Sequence, residues 1–288
     1  MLHPETWVEK YSDYLYNYAY ARLSDEESAK DMVQEVFFAA LKAKNSFRGE
    51  SNEQTFLTAI LKRKIIDFYR SKGKPSDHLL LDNLPFNDMG MHQGQWKDDR
   101  GPASWDKTVL EEIENEELAD ALKLCMTRLP LQWQACFIMK TVDSESTETV
   151  CKELDLSSSN LWVILHRARL KLRECLENIW FKQYKEKKHK LMDNSHIRKG
   201  KIPGMISCDE STYLISKKQD SRLSLMEKFQ LCMHLMFCKF CRRYDKQIEV
   251  IDRTIKTVQM RNDKKLSVQE KEDIHRKVIH EKEQEDNK

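Results

Sequence analysis

The stretch TETVCKELDLSSSNLWVILHRARLKLRECL, Thr147 to Leu176, carries two helical periods separated by a short break. Val150, Cys151, Leu154 and Leu156 would pack against Leu161, Leu165, Ala168 and Leu172, and Ser157 or Ser158 stands where a helix N-cap belongs. This is helix-turn-helix spacing. The turn holds Asp155, where glycine would take a left-handed backbone most easily. Arg167, Arg169, Lys171 and Arg173 then continue the second helix as a basic flank suited to phosphates. An ordinary helical hairpin with a solvated basic face would show the same pattern, so the rest of the chain must discriminate.

That chain has 288 residues, 33% of them charged and only seven of them glycine, which favours an all-α protein and disfavours a β-rich one. Its net charge of +2 does not by itself announce nucleic-acid binding, so clustered charge has to make that case. No apolar run approaches the ~18 residues of a membrane span, and the N-terminal MLHPETWVEKYSDY carries acids where a signal peptide would be basic and apolar. These features lead us to expect a cytoplasmic protein, no membrane partner, and eight cysteines serving as core thiols, metal ligands or sensors rather than structural disulfides.

Turn-forming residues divide the sequence. Four glycines and three prolines fall within KGKPSDHLLLDNLPFNDMGMHQGQWKDDRGPASW, Lys72 to Trp105, which has no sustained helical period and reads as a flexible linker over 72–112. A basic linker, 182–203, contains KQYKEKKHK and ends at Pro203. Three modules follow from these breaks, 1–71, 113–181 and 204–256, with a charged tail at 257–288.

The first module is helical. Ser24 with Glu27 forms a capping-box pattern, and Met32, Val33, Val36, Phe37, Ala40 and Leu41 repeat on one face. Asp31, Gln34, Glu35 and Phe38 occupy the opposite face. After FRGES (47–51), a second amphipathic run places Leu57, Ile60, Leu61, Ile65 and Phe68 on its apolar side. Lys62, Arg63, Lys64, Arg70, Lys72 and Lys74 concentrate positive charge, with Tyr69 among them. Cations interleaved with aromatics suit melted DNA, because phosphates need charge and unstacked bases need flat partners; a solvated helix face would look similar.

Together the first two modules resemble the extracytoplasmic-function (ECF) class of bacterial RNA polymerase sigma factors. DMVQEVF (31–37), FRGES, TFL (55–57) and IIDFYR (65–70) are similar to region 2 of that family, and the helix-turn-helix closing in LHRARLKLRE (165–174) is similar to region 4. The resemblance covers about 150 residues in the family's order and implies a protein that binds core RNA polymerase and promoter DNA without catalysis of its own. It implies that Asp31, Gln34, Glu35 and Phe38 dock on the polymerase clamp. Arg48, Lys62, Arg63, Lys64, Tyr69 and Arg70 would face the minus-ten element, and Ser158, Ser159, Asn160, Trp162, Val163, His166, Arg167 and Arg169 the minus-thirty-five element. A linker of 41 residues, ~140 Å when extended, could bridge the two. Two departures are conservative, Arg63 where the family has asparagine and Phe56 where it has tryptophan. A third is not: Asn160, Trp162, Val163 and Ile164 deplete the polar base readout. Recognition then leans on phosphates, thymine methyls and DNA shape, or another part of the protein covers this surface.

The third module starts two helices clearly, with capping boxes at Ser207/Glu210 and Ser224/Glu227. His234, Cys238 and Cys241 fall at i, i+4 and i+7, and with Cys208 they could supply four ligands to tetrahedral zinc. Ordinary core thiols fit the spacing too, since Cys125, Cys136, Cys151 and Cys175 sit at apolar helix positions. The segment is similar to the zinc-binding anti-sigma family, with its upstream ligand and HxxxCxxC. That resemblance implies Zn2+ at Cys208, His234, Cys238 and Cys241, structural more readily than sensing, and a regulatory domain in intramolecular contact with the sigma modules. A free-standing helix-turn-helix regulator and a protein-interaction module without promoter readout are the competing functions. The tail permits a marginal helix around Leu266, Ile274 and Val278, or a disordered segment.

Overall fold

The computed structural model describes residues 2–44, 47, 49–72, 84–90, 92–105, 116–181, 205–260 and 264–286. The chain divides into two compact units, 1–73 with 259–288, and 74–258. Among the described residues both are helical, with one isolated antiparallel bridge between Phe86 and Trp96.

In the first unit, α1 (Trp7–Leu23), α2 (Glu26–Lys42) and α3 (Glu53–Lys72) pack around Trp7, Leu15, Val33, Val36, Phe37, Leu57 and Leu61. The apolar period of α2 is buried as its spacing requires. The cap is displaced by one residue from the expected Ser24/Glu27 box. Ser24 closes α1 in a left-handed conformation (φ 54°), so Asp25 becomes the N-cap of α2 and accepts from the Ser28 amide at 2.8 Å. Glu53 ties the start of α3 to α1 by accepting from Trp7 Nε1 and Tyr11 Oη, each at 3.1 Å.

In the second unit, α4 (Glu116–Thr127), α5 (Leu131–Thr141), α6 (Thr147–Leu154) and α7 (Ser158–Leu176) precede α8 (Cys208–Asp220), α9 (Leu225–Phe237) and α10 (Lys239–Met260). The helix-turn-helix forms as its pattern indicates. Asp155 takes the left-handed position at φ 53°, and Ser157 caps α7 by accepting from the Asn160 amide. Both capping boxes of the third module are made. Cys125 of α4 and Cys175 of α7 are joined as a disulfide, which corrects the reading of both as core thiols.

The tail also differs from its disordered reading. A third capping box, Ser267 with Glu270, starts α11 (Val268–Asp286), which lies in the first unit against α1 and α2. Leu266, Ile274 and Val278 are buried there, each contributing about 1.5–3 kcal/mol on full burial. The part-exposed Lys30–Glu270 and Lys271–Asp13 pairs, both 2.8 Å, contribute under about 1 kcal/mol each. The apolar stripe therefore holds α11, and the charges set its register.

The flexible-linker expectation needs correction over 84–105, which packs within the second unit. Trp96 stacks obliquely on Phe86 and on Tyr244 of α10, while the Arg173 guanidinium lies 5.2 Å from its ring centre. Turn residues dominate the pattern, but these aromatics anchor it. Gly94 adopts φ +74°, its carbonyl accepts from the Asp209 amide at 2.9 Å, and a Cβ there would stand 2.8 Å from Ser207 Cβ. Gly94→Ala should therefore cost about 1–2 kcal/mol from the left-handed backbone alone, plus the collision with Ser207. Hydrogen exchange over 84–105 should accelerate in this variant, and unchanged exchange would contradict the anchoring.

Candidate functional site

On α2, Asp31 and Glu35 are exposed, and Gln34 and Phe38 are half-buried. Glu35 is paired with Lys64 of α3 at 2.9 Å, and Gln34 Oε1 accepts from Lys277 Nζ of α11 at 2.9 Å. The contacts of α2 with α11 and the segment that leads into it follow a register: Glu26 meets Lys264 ahead of α11, while Lys30 meets Glu270 and Gln34 meets Lys277 within it. On α3, Lys62, Arg63 and Arg70 are exposed. Tyr69 is not available to a base, contrary to expectation: it is 3% exposed, and its hydroxyl donates to the Arg22 carbonyl. Spacing could not show this, because its partner is 47 residues away. Arg48 lies outside the described residues. The half-buried rings of Phe47 and Phe56 pack with centroids 5.0 Å apart, an aromatic pair that the α3 pattern alone did not disclose.

Helix α7 divides along its length. Ser158, Ser159 and Asn160 are exposed, and Trp162, Val163 and Arg167 are half-buried. His166 and Arg169, expected to face DNA, are instead covered by the third module. Arg169 is fully buried; its Nε and Nη2 donate to Asp252 of α10 at 3.2 and 2.7 Å, and its Nη1 stands 2.7 Å from Asp220 Oδ2 at the end of α8. Burial alone would push the guanidinium pKa down, but Asp252 and Asp220 outweigh it and hold the charge in place. His166 Nε2 lies 3.0 Å from Thr212 Oγ1 of α8. Burial, reinforced by the charges of Arg167 and Arg169, lowers its pKa to about 3, so the ring is neutral at pH 7. Arg173 is also buried, between Glu177 and the Arg100 carbonyl of the 84–105 loop.

The third module brings its predicted ligands together. Cys208 opens α8, His234 lies near the end of α9, Cys238 separates α9 from α10, and Cys241 lies in the first turn of α10. Their ligand atoms all fall within 4.8 Å of one another, an arrangement that could hold a metal ion. Cys208 Sγ is 3.9 Å from Cys238 Sγ, and His234 Nε2 is 3.2 Å from Cys241 Sγ. The Ile206 carbonyl, 2.8 Å from His234 Nδ1, fixes the ring with Nδ1–H donating and Nε2 turned to the cluster. Trp96 Nε1 donates to Cys241 Sγ at 3.4 Å, an outer contact not foreseen because it comes from the presumed linker. Hydrogen bonds from Cys208 and Cys241 hold the Cys238 thiol pKa low. The same bond raises Cys208 to about 12, and burial raises Cys241. One thiolate is thus favoured, and a dication would favour all three.

Comparison with known proteins adds the following. Residues 7–74 match the family model described as Sigma-70 region 2, and residues 119–172 match Sigma-70, region 4. The chain is 34% identical over 160 residues to a protein described as a probable RNA polymerase sigma factor from Haemophilus influenzae, covering 55% of this chain and 82% of the relative. It is 29% identical over 179 residues to RNA polymerase sigma factor YlaC of Bacillus subtilis, covering 60% of this chain and 94% of the relative. Over 177 residues it is 25% identical to ECF RNA polymerase sigma factor SigX of the same organism, covering 60% and 84%.

The Arg169 contacts predict unequal effects of two aspartate substitutions. Asp252→Ala should destabilise the second unit by about 3 kcal/mol, the low end for breaking a buried pair because Asp220 remains. Asp245→Ala, which removes the part-exposed Lys218 pair, should cost under about 1 kcal/mol. Equal shifts in chemical denaturation would contradict the buried pairing.

Proposed function

We propose, since this chain belongs to the ECF kind of sigma-70 RNA polymerase sigma factor, that it directs core polymerase to specific promoters and that its C-terminal part restrains both sigma modules. A sigma factor of this family is an initiation factor and not an enzyme. The observation that carries the restraint is the burial of Arg169 and His166 under α8 and α10. A recognition helix cannot offer to phosphates a guanidinium already enclosed by two carboxylates. In this reading Asp31, Gln34, Glu35 and Phe38 meet the polymerase clamp, and α11 occupies the Gln34 side of that face. Arg48, Lys62, Arg63, Lys64 and Arg70 serve the minus-ten element. Ser158, Ser159, Asn160, Trp162, Val163 and Arg167 serve the minus-thirty-five element, joined by His166 and Arg169 once α8 and α10 leave. The work is done in the cytoplasm; no helix among the described residues is long and apolar enough to cross a membrane.

Zinc is the metal the cluster suits. Zn–S bonds of about 2.3 Å and Zn–N bonds of about 2.0–2.1 Å in a tetrahedron place sulfurs about 3.8 Å apart and sulfur about 3.5 Å from nitrogen. The observed 3.9 and 3.2 Å lie near both values. Cys208, His234, Cys238 and Cys241 would hold the ion, which would tie α8 to the α9–α10 junction. The same two helices carry Thr212, Asp220 and Asp252 to α7. Structural zinc therefore preserves the restraint, whether or not its loss serves as a signal.

Transcription with purified core polymerase, on genomic fragments selected by the truncated holoenzyme, tests this reading. A chain truncated after Lys199 should initiate more strongly than the full chain. Ile274→Asp, which places a charge in the buried stripe of α11, should raise core binding alone. Equal initiation by the full and truncated chains would remove the restraint, and initiation by neither would remove the promoter-directing role. Cys238→Ser should bind far less zinc than the roughly one ion per wild-type chain expected for a four-ligand site, while Cys232→Ser should leave zinc content unchanged.

A further inference from the structure

We infer that Cys125 and Cys175 form a reversible oxidative clasp between α4 and α7, a modification site separate from the metal cluster and independent of which partners the sigma modules bind. The two residues lie on different helices, 50 positions apart, with Cα atoms separated by 5.7 Å, inside the range a disulfide requires. The loop they close contains the whole helix-turn-helix, α5, α6 and nearly all of α7. Covalent closure of that loop restricts its opening.

The two sulfurs have different surroundings, which fits division into an attacking and a resolving thiol. Cys125 is 1% exposed, on the buried side of α4 that Leu118 and Leu122 share. Cys175 is half-buried, and Arg128 Nη1 lies 4.0 Å from its sulfur. A neighbouring guanidinium favours thiolate over thiol, and the thiolate is the reactive form. Cys175 is therefore the attacking group and Cys125 the resolving one. With hydrogen peroxide as oxidant, the Cys175 thiolate takes one oxygen and the O–O bond breaks, leaving a sulfenic acid and hydroxide. The Cys125 sulfur then attacks that sulfenic sulfur and water leaves. For hydrogen peroxide the net reaction consumes two thiols and one peroxide and gives one disulfide and two waters. A thiol reductant reverses it by exchange.

The position gives the clasp a consequence. Cys175 lies between residues that anchor the 84–105 loop: Glu174 pairs with Arg100, and Glu177 accepts from the Ala103 amide at 3.0 Å. Oxidation would fasten α4 to the end of α7 that also carries this anchor, so it stiffens the frame behind the recognition helix without touching the metal ligands.

The test uses the full chain, loaded with zinc and fully reduced. After one equivalent of hydrogen peroxide and alkylation of remaining thiols, peptide mapping should find Cys125 linked to Cys175, reversed by dithiothreitol, with Cys208, Cys238 and Cys241 still alkylatable after acid release of the metal. Arg128→Met should slow formation of the link several-fold while the same link still forms. Hydrogen exchange over 116–127 should slow on oxidation by on the order of tenfold or more, and Cys125→Ala should abolish that response; Cys175→Ser serves if the first variant folds poorly. Oxidation of the cluster cysteines first, or equal exchange over 116–127 in both redox states, would overturn the inference.

Discussion

The second unit depends on a buried guanidinium. Arg169 has no exposed surface, and removal of such a charge from water is costly unless opposite charges and hydrogen bonds surround it. Asp252, Asp220 and the Ser216 carbonyl surround it here, and all three come from the third module. Module three in turn holds two carboxylates, each about nine-tenths buried or more, against this guanidinium. The pair therefore acts less as a source of stability than as a specification: these helices fit together in one register, or a charge is left stranded.

The proposed zinc site and this pair depend on the same elements. Helix α8 supplies Cys208 at its start and Asp220 at its end, and α10 supplies Cys241 in its first turn and Asp252 three turns later. Fixing the metal ends of the two helices fixes the spacing of the two carboxylates. Trp96 joins the cluster to α7 by a separate route, donating to Cys241 while Arg173 lies over its ring. In the first unit, α11 uses a simpler principle, an apolar stripe for adhesion and alternating charges for register. Restraint of both sigma modules would then come from one C-terminal extension by two kinds of contact.

Local features were legible in the sequence and long-range ones were not. The helix-turn-helix, its left-handed Asp155, the two Ser-x-x-Glu boxes of the third module and the Cys/His stripe are all set by residues within one or two helical turns. The Ser24/Glu27 box failed because the end of α1 claimed Ser24 first. Tyr69, His166 and Arg169 were expected at DNA from the family resemblance, yet each is buried by a partner 46 to 83 residues distant. The apolar residues Trp162, Val163 and Ile164 did carry a signal: a recognition helix short of polar readout was compatible with a covered one, and α8 and α10 do cover its next turn. Residues 84–105 concealed their packing because aromatic anchors without periodicity resemble a linker.

The most direct test of a covered recognition helix is the titration of His166, followed by NMR in the full-length chain and assigned with His166→Gln. Enclosed against Thr212 and beside Arg169, the imidazole should stay neutral as pH falls through 6 and 5, titrating only near the value of about 3 that its burial imposes. A midpoint near 6.5, the ordinary value for a solvated histidine, would mean that this face of α7 is open to water and to DNA, and that the third module does not cover it.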